Sequence, residues 1–183
     1  MPPLPDSEMS AAQRDAAAEI VSGRRGRLEG PFVAAVRSPE MLRRLQRLGE
    51  YLRYDQALAP RLREMVILLT ARDWTQDYEW HVHEPLARAA GLAAETIDAI
   101  ADGRRPDALP FDEAVVWDVV QELQRTRTLC DTTYARAVGA LGEQGIVDLV
   151  ASVGYYSLLA MIMNVAGTAL PGHAQPTLPS WPR

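Results

Sequence analysis

With a single cysteine, Cys130, the chain can form no intramolecular disulfide and no Cys-x-x-Cys redox pair. It also lacks any Lys/Arg-rich block, and its formal net charge of −5 argues against a nucleic-acid partner. No glycine loop of the phosphate-binding kind is present, and no serine sits in a Gly-x-Ser-x-Gly elbow, so nucleotide binding and serine-nucleophile chemistry are not indicated. The start, Met-Pro-Pro-Leu-Pro-Asp, has no basic segment followed by an apolar run, so no signal peptide is expected. The one long apolar run, Ile146 to Val165, is interrupted by Asp148, Ser152, Gly154, Ser157 and Asn164. It reads as a buried helix suited to a subunit interface rather than as a membrane span. A cytoplasmic protein with no membrane partner is the expectation. No alternating strand pattern of useful length occurs, so the fold should be all-α.

What is present fits one soluble domain: 183 residues, 48% apolar and 23% charged, are enough to bury a core without staples. Residues 1–23 read as an extension with one helix, Ala11 to Ser22, capped by Ser10 and ended by Gly23. Arg24, Arg25 and Arg27, around Gly26, can hold an anion or stand as a solvated loop. Ser38-Pro39-Glu40 opens a helix whose apolar positions are Met41, Leu42, Leu45, Leu48 and Leu52. Pro60 starts the next, reaching Asp73, with a centre from Met65 to Ala71 that should be buried on most sides and with Glu64 just before it. Further helices are expected at 94–101, 111–127, 131–141 (capped by Asp131) and 143–167, making seven to eight. Residues 171–183 form a Pro-rich tail, with His173 solvated. Cys130 reads as a small buried thiol.

The most informative stretch is Trp74 to Gly91. Wound at about 100° per residue, it gathers Gln76, Glu79 and His83 into a sector of roughly 60° bordering an apolar stripe of Tyr78, Val82, Leu86 and Ala90. His81, Glu84 and Arg88 fall on the opposite, solvated side. Glu79 and His83 are thus either a proton-handling pair at a core edge or an i,i+4 pair that satisfies itself. Pro85 should kink the helix near His83. His81 and His83 point about 200° apart, so one ion cannot readily take both, and no metal site is expected. Tyr155, Tyr156 and Asn164 are polar groups in the apolar last helix and need hydrogen-bond partners or a pocket.

Leu62–Arg72, Tyr78–His83 and Ala87–Leu92, together with Gly30-Pro31-Phe32, Ser38-Pro39-Glu40 and the Tyr155-Tyr156 to Asn164 helix, resemble the carboxymuconolactone decarboxylase family, whose superfamily includes the alkylhydroperoxidases. The resemblance covers residues 24–170 and implies an alkylhydroperoxidase-like helical bundle. The peroxidase branch carries Glu, then Cys-x-x-Cys, then His. On this chain the Glu falls on Glu64, the His on His83, and the two cysteines on Gln76 and Glu79. The thiolate that a peroxidase cycle needs is therefore missing. The decarboxylase branch lacks the Cys pair and uses no cofactor. The resemblance implies a lyase-like acid/base reaction, decarboxylation or a double-bond or lactone rearrangement, on a small carboxylated substrate such as those of aromatic catabolism. His83 would be general acid/base, Glu79 would orient it, and Glu64 would be the second carboxylate. Gln76, Arg72 and Tyr155 would bind substrate. The alternatives are an alkylhydroperoxidase-type antioxidant protein and a non-catalytic small-molecule binder. The resemblance also implies a homo-oligomer, trimer or hexamer.

Overall fold

The computed structural model describes residues 1–179; Ser180 to Arg183, the end of the Pro-rich tail, and the side chain of His173 lie outside the described residues. Eight α-helices follow one another: α1 Ala11–Ser22, α2 Pro31–Ala35, α3 Pro39–Tyr54, α4 Pro60–Asp73, α5 Asp77–Ala89, α6 Ala94–Ala101, α7 Phe111–Thr126 and α8 Asp131–Ala166. Short 3-10 turns occupy Asp6–Glu8 and Pro171–His173. Among the described residues there is no strand. The all-α expectation and the expected helix number are met.

Punctuation set most of the ends. Ser10 accepts from the Gln13 amide, and the Gln13 side chain returns a bond to Ser10, a capping box that opens α1. Prolines stand at the first helical position of α2, α3 and α4, where the missing N–H costs nothing. Two starts differ from expectation. Ser38 makes no side-chain cap, and Cys130, not Asp131, occupies the cap position of α8. The two expected terminal helices follow each other directly, separated by a kink at Gly142, whose φ of 70° and ψ of 169° leave the helical region. Pro85 produces no such break; α5 runs through it.

Two hydrophobic cores meet along α4 and α8. One gathers Leu62, Met65, Leu68 and Leu69 of α4 with Ile97 and Ile100 of α6, Val116 and Val120 of α7, and Leu149 and Val153 of α8. The other gathers Ala16 and Ile20 of α1, Phe32 of α2, Leu42, Leu45 and Leu52 of α3, and Tyr155, Tyr156, Leu159 and Met163 of α8, with Ile67 of α4 reaching in. Helix α1 is therefore an integral part of the second core. On α3, Met41 and Leu48, both expected inward, are exposed; Gln46 and Gly49 are buried instead. Helix α8 is the one helix among the described residues long and apolar enough to cross a membrane. Here more than half of that stretch is covered by α2, α3, α4 and α7.

Polar ties hold the seam. Asp148 on α8 accepts from the Tyr51 hydroxyl at 2.9 Å and the Ala57 amide at 2.8 Å. Arg61 at the start of α4 binds Asp112 at 2.7 Å and also Glu113. The described part of the C-terminal segment lies on its own chain: Leu178 is buried in the first core, and Arg72 donates to the Pro179 carbonyl at 2.5 Å.

Candidate functional site

Helix α5 carries the site, and its cap aims it. The Gln76 side-chain oxygen accepts from the Tyr78 amide at 2.7 Å, closing the first turn. The Gln76 amide nitrogen donates to Asn164 Oδ1 at 2.7 Å, and Asn164 donates to the Trp74 carbonyl at 3.3 Å. The start of α5 is thereby latched to the end of α8. Above it, the Tyr78 ring lies where a Cβ on Gly30 would be, 2.7 Å from Tyr78 Cε1, and Gly30 itself has φ of 56°. Only glycine suits that position on both counts.

The face that α5 buries is Tyr78, Glu79, Trp80, His83 and Ala87. It is rotated from the expected apolar stripe: Leu86 is exposed and Val82 only half-buried. The polar residues Glu79 and His83, expected at the edge of the stripe, are its centre. Residue exposure is 3% for Glu79 and 4% for both His83 and Glu64. His81 is half-buried on another side.

His83 does not pair with Glu79 one turn away. Its Nδ1 lies 2.7 Å from Glu64 Oε2, on α4. Burial pushes the Glu64 carboxyl up, but the bond to His83 and the guanidinium of Arg63, 3.4 Å from Oε1, hold it below the usual range. Glu64 is therefore ionised at neutral pH, accepts only, and assigns the Nδ1 proton to His83. The other ring nitrogen, Nε2, is left as the one that can meet a ligand. Tyr156 packs edge-on against the imidazole, with centroids 5.3 Å apart at 85°, and Tyr155 packs edge-on against Tyr156.

Glu79 is in the opposite situation. Neither carboxyl oxygen meets a hydrogen-bond partner among the described residues, and burial alone drives its pKa well above the usual range. It is a neutral acid, able to donate. The Tyr155 hydroxyl is likewise buried without a partner, and burial pushes its pKa up to about 12.

Glu79, His83, Tyr155 and Tyr156 line one small pocket of about 50 Å³, closed by Tyr78, Val82, Phe32 and Leu159 and edged by Arg25, Glu29 and Arg53. Of the residues singled out in sequence, His83, Glu79 and Tyr155 stand on this pocket, and Glu64 stands directly behind His83. Gln76 and Arg72 do not line it: Gln76 is the cap and latch of α5, and Arg72 faces α7 and the tail. Sequence reasoning singled out neither Arg53 nor Glu29; Arg25 was visible only as one of three loop arginines. Cys130 is exposed, contrary to expectation, with its Sγ 3.3 Å from Thr133 Oγ1 and its amide bonded to Glu122 at 2.6 Å. It lines neither this pocket nor its mouth. Among the described residues no three His, Cys, Asp or Glu side chains converge as a metal set.

Residues 39–120, which span Glu64, Glu79 and His83, match the model of the carboxymuconolactone decarboxylase family. Among solved structures, the chain is similar to an alkylhydroperoxidase AhpD core, an uncharacterized peroxidase-related protein from Ralstonia eutropha JMP134. The TM-score is 0.73 at 15% identity, over 94% of this chain and 92% of that one. At that identity the likeness establishes an alkylhydroperoxidase-like fold. No curated protein matches the sequence. The family segment ends at Val120, so Tyr155 and Tyr156 of the pocket come from outside it.

Proposed function

We propose that this carboxymuconolactone decarboxylase family protein is an acid/base enzyme acting on a small carboxylated substrate, by decarboxylation or by a double-bond or lactone rearrangement. The observation that carries the reading is the buried Glu64–His83 pair, which leaves imidazole Nε2 at a pocket that also holds the neutral acid Glu79. In a double-bond shift, Nε2 removes a proton from the carbon next to a carbonyl, and the electron pair moves to the carbonyl oxygen. The imidazolium then returns the proton at the far carbon. In a decarboxylation, Nε2 first takes a proton from solvent, the breaking C–C bond supplies the electron pair as carbon dioxide leaves, and the imidazolium delivers that proton to carbon. In both, the Glu64 carboxylate stabilises the imidazolium, and the Glu79 O–H donates to the developing oxyanion. The chain contains no lysine, all 19 of its basic residues being arginine. An imine to a lysine side chain is therefore closed to it as an electron store, and the burden falls on hydrogen-bond donors such as Glu79.

The peroxidase-type reading draws support from the name of the structural relative. It is disfavoured by chemistry: the one thiol, Cys130, is outside the pocket. Association of copies belongs to the same proposal, supported by the exposed apolar residues Val147, Val150, Met161 and Val165 along α8. The deciding experiment is turnover of carboxymuconolactone and related lactones by the wild type and by His83→Ala. A loss of about 100-fold or more is expected; undiminished turnover in the variant removes His83 from the mechanism.

A further inference from the structure

The pocket adjoins a second cavity. Its outer edge, Arg25, Glu29, Phe32 and Arg53, is also the inner edge of a wider vestibule of about 260 Å³ that adds Arg27 and Tyr54. These residues converge from the loop after α1, from α2 and from the end of α3. The throat carries two cations that no carboxylate neutralises: among the described residues neither Arg25 nor Arg53 forms an ion pair. The one acid there, Glu29, is held by Arg27 at 2.8 Å. In a chain of net charge −5 this is a local reversal of sign.

Arg25 is also fixed in place. Its Nε donates to Gln46 at 2.6 Å, and its guanidinium lies over the Phe32 ring, 4.5 Å from the centroid. That leaves its two terminal nitrogens for another partner. Beside it, the buried Tyr155 hydroxyl has none. Both groups press against the α3 backbone at Gly49, where a Cβ would overlap the Tyr155 hydroxyl and stand 2.7 Å from an Arg25 terminal nitrogen. Glycine in a buried helix turn forgoes about 1 kcal/mol of helix propensity; here it leaves room for the two donors to lie side by side.

We infer that Arg25, Arg53 and the Tyr155 hydroxyl form a carboxylate-binding subsite at the throat, which grips a small acid by a carboxylate that is kept through the reaction. The reacting end is then threaded past Phe32 to His83 and Glu79. The arrangement assigns polarity to the substrate: an anionic handle outside, an uncharged carbonyl or lactone end inside, where Glu79 is itself held neutral by burial. This rests on the acid/base reading above for the inner end only; the grip on the handle is independent of it.

The test is calorimetric titration of the full chain with acetate, benzoate and 5-oxotetrahydrofuran-2-carboxylate, each paired with its methyl ester. At least one carboxylate is expected to bind, with its ester about 10-fold weaker or worse. Arg25→Gln and Arg53→Gln should each weaken that carboxylate by about 10-fold, while His83→Ala and Glu79→Gln leave it within about 3-fold. Both arginines are half-buried, so the variants should keep the fold, checked by circular dichroism. Failure of all three carboxylates to bind below ~50 mM overturns the subsite. So does equal affinity for the esters, or unchanged affinity in the doubly substituted chain. If the arginine variants lose binding but His83→Ala keeps full turnover, the subsite stands and the acid/base reading falls. If the arginine variants bind normally and His83→Ala is inactive, the reverse holds.

Discussion

His83 Nδ1 sits 2.7 Å from Glu64 Oε2 across the α4–α5 contact, while Glu79, one turn away on the same helix as His83, touches neither of them by a hydrogen bond. Two buried carboxyl groups around one imidazole are thus in opposite protonation states. One orients the ring as an anion and the other stays a neutral donor.

Replacing Glu64 by Gln should separate orientation from charge. The folded-state pKa of Glu64 is depressed, so its stabilising contribution is fully present above the ordinary carboxylate range and is lost as pH falls through the folded value. Glu64→Gln is expected to destabilise the fold by roughly 1–3 kcal/mol at about pH 7 and by less at about pH 3. Equal destabilisation at both pH values in thermal melts would show that its charge has no such role.

Glu79 predicts the opposite slope. Its folded-state pKa is raised, so the folded chain binds a proton that the unfolded chain releases, and stability falls as pH rises from the ordinary carboxylate range toward the folded value. Glu79→Gln keeps the shape and an N–H donor while removing the titration. It should melt a few degrees higher than wild type at about pH 8, with the advantage shrinking toward about pH 4. Melts in parallel at the two pH values read this directly.

Gly49→Ala puts helix propensity against space. Propensity alone favours Ala by about 1 kcal/mol. The added methyl meets the Tyr155 ring and the Arg25 guanidinium, both inside a packed region. A net loss of roughly 1–3 kcal/mol is expected from urea denaturation, together with weaker carboxylate binding. A stabilised variant would mean that Tyr155 and Arg25 can move apart freely.

The latch from α5 to α8 should behave as a coupled pair. Gln76→Ala and Asn164→Ala are each expected to cost about 1 kcal/mol, and the double variant less than their sum. Strict additivity in a double-mutant cycle would show that the two amides do not act together.

Cys130→Ser should leave turnover unchanged, because the thiol is outside the pocket. Its exposure should also make it react readily with a thiol reagent in the folded state. Loss of a peroxide-consuming activity in this variant would revive the thiol-based reading.

Where helix ends are marked by proline, glycine or a serine cap, as at Ser10, Pro39 and Pro60, local chemistry decided them and they were legible. The inward face of α5 was not. Hydrophobic periodicity weighs Leu86 and Val82 toward the core, whereas the fold buries Glu79 and His83 there, and no local rule ranks a buried acid above a leucine. The Glu64–His83 bond spans 19 positions and depends on how α4 packs on α5; the family resemblance placed both residues in one site but gave the orienting role to Glu79. Arg72 was legible as an arginine near the motif, but which face of α4 it takes is a tertiary matter, and it turns toward the tail. The throat was least legible, since Arg25, Arg53 and Tyr155 come from three distant segments and the signal that joins them is a missing side chain at Gly49.

Helix α8 supplies side chains to both cores, and the pocket's Tyr155 and Tyr156 lie just past the point where it leaves the first for the second. Neither core can open without disturbing it. Its amides from about Leu149 to Met163 should therefore exchange with solvent only through near-global unfolding, and loss of the pocket and loss of the fold should be a single cooperative event. A carboxylate bound between Arg25 and His83 would slow that exchange far from the ligand as well as beside it.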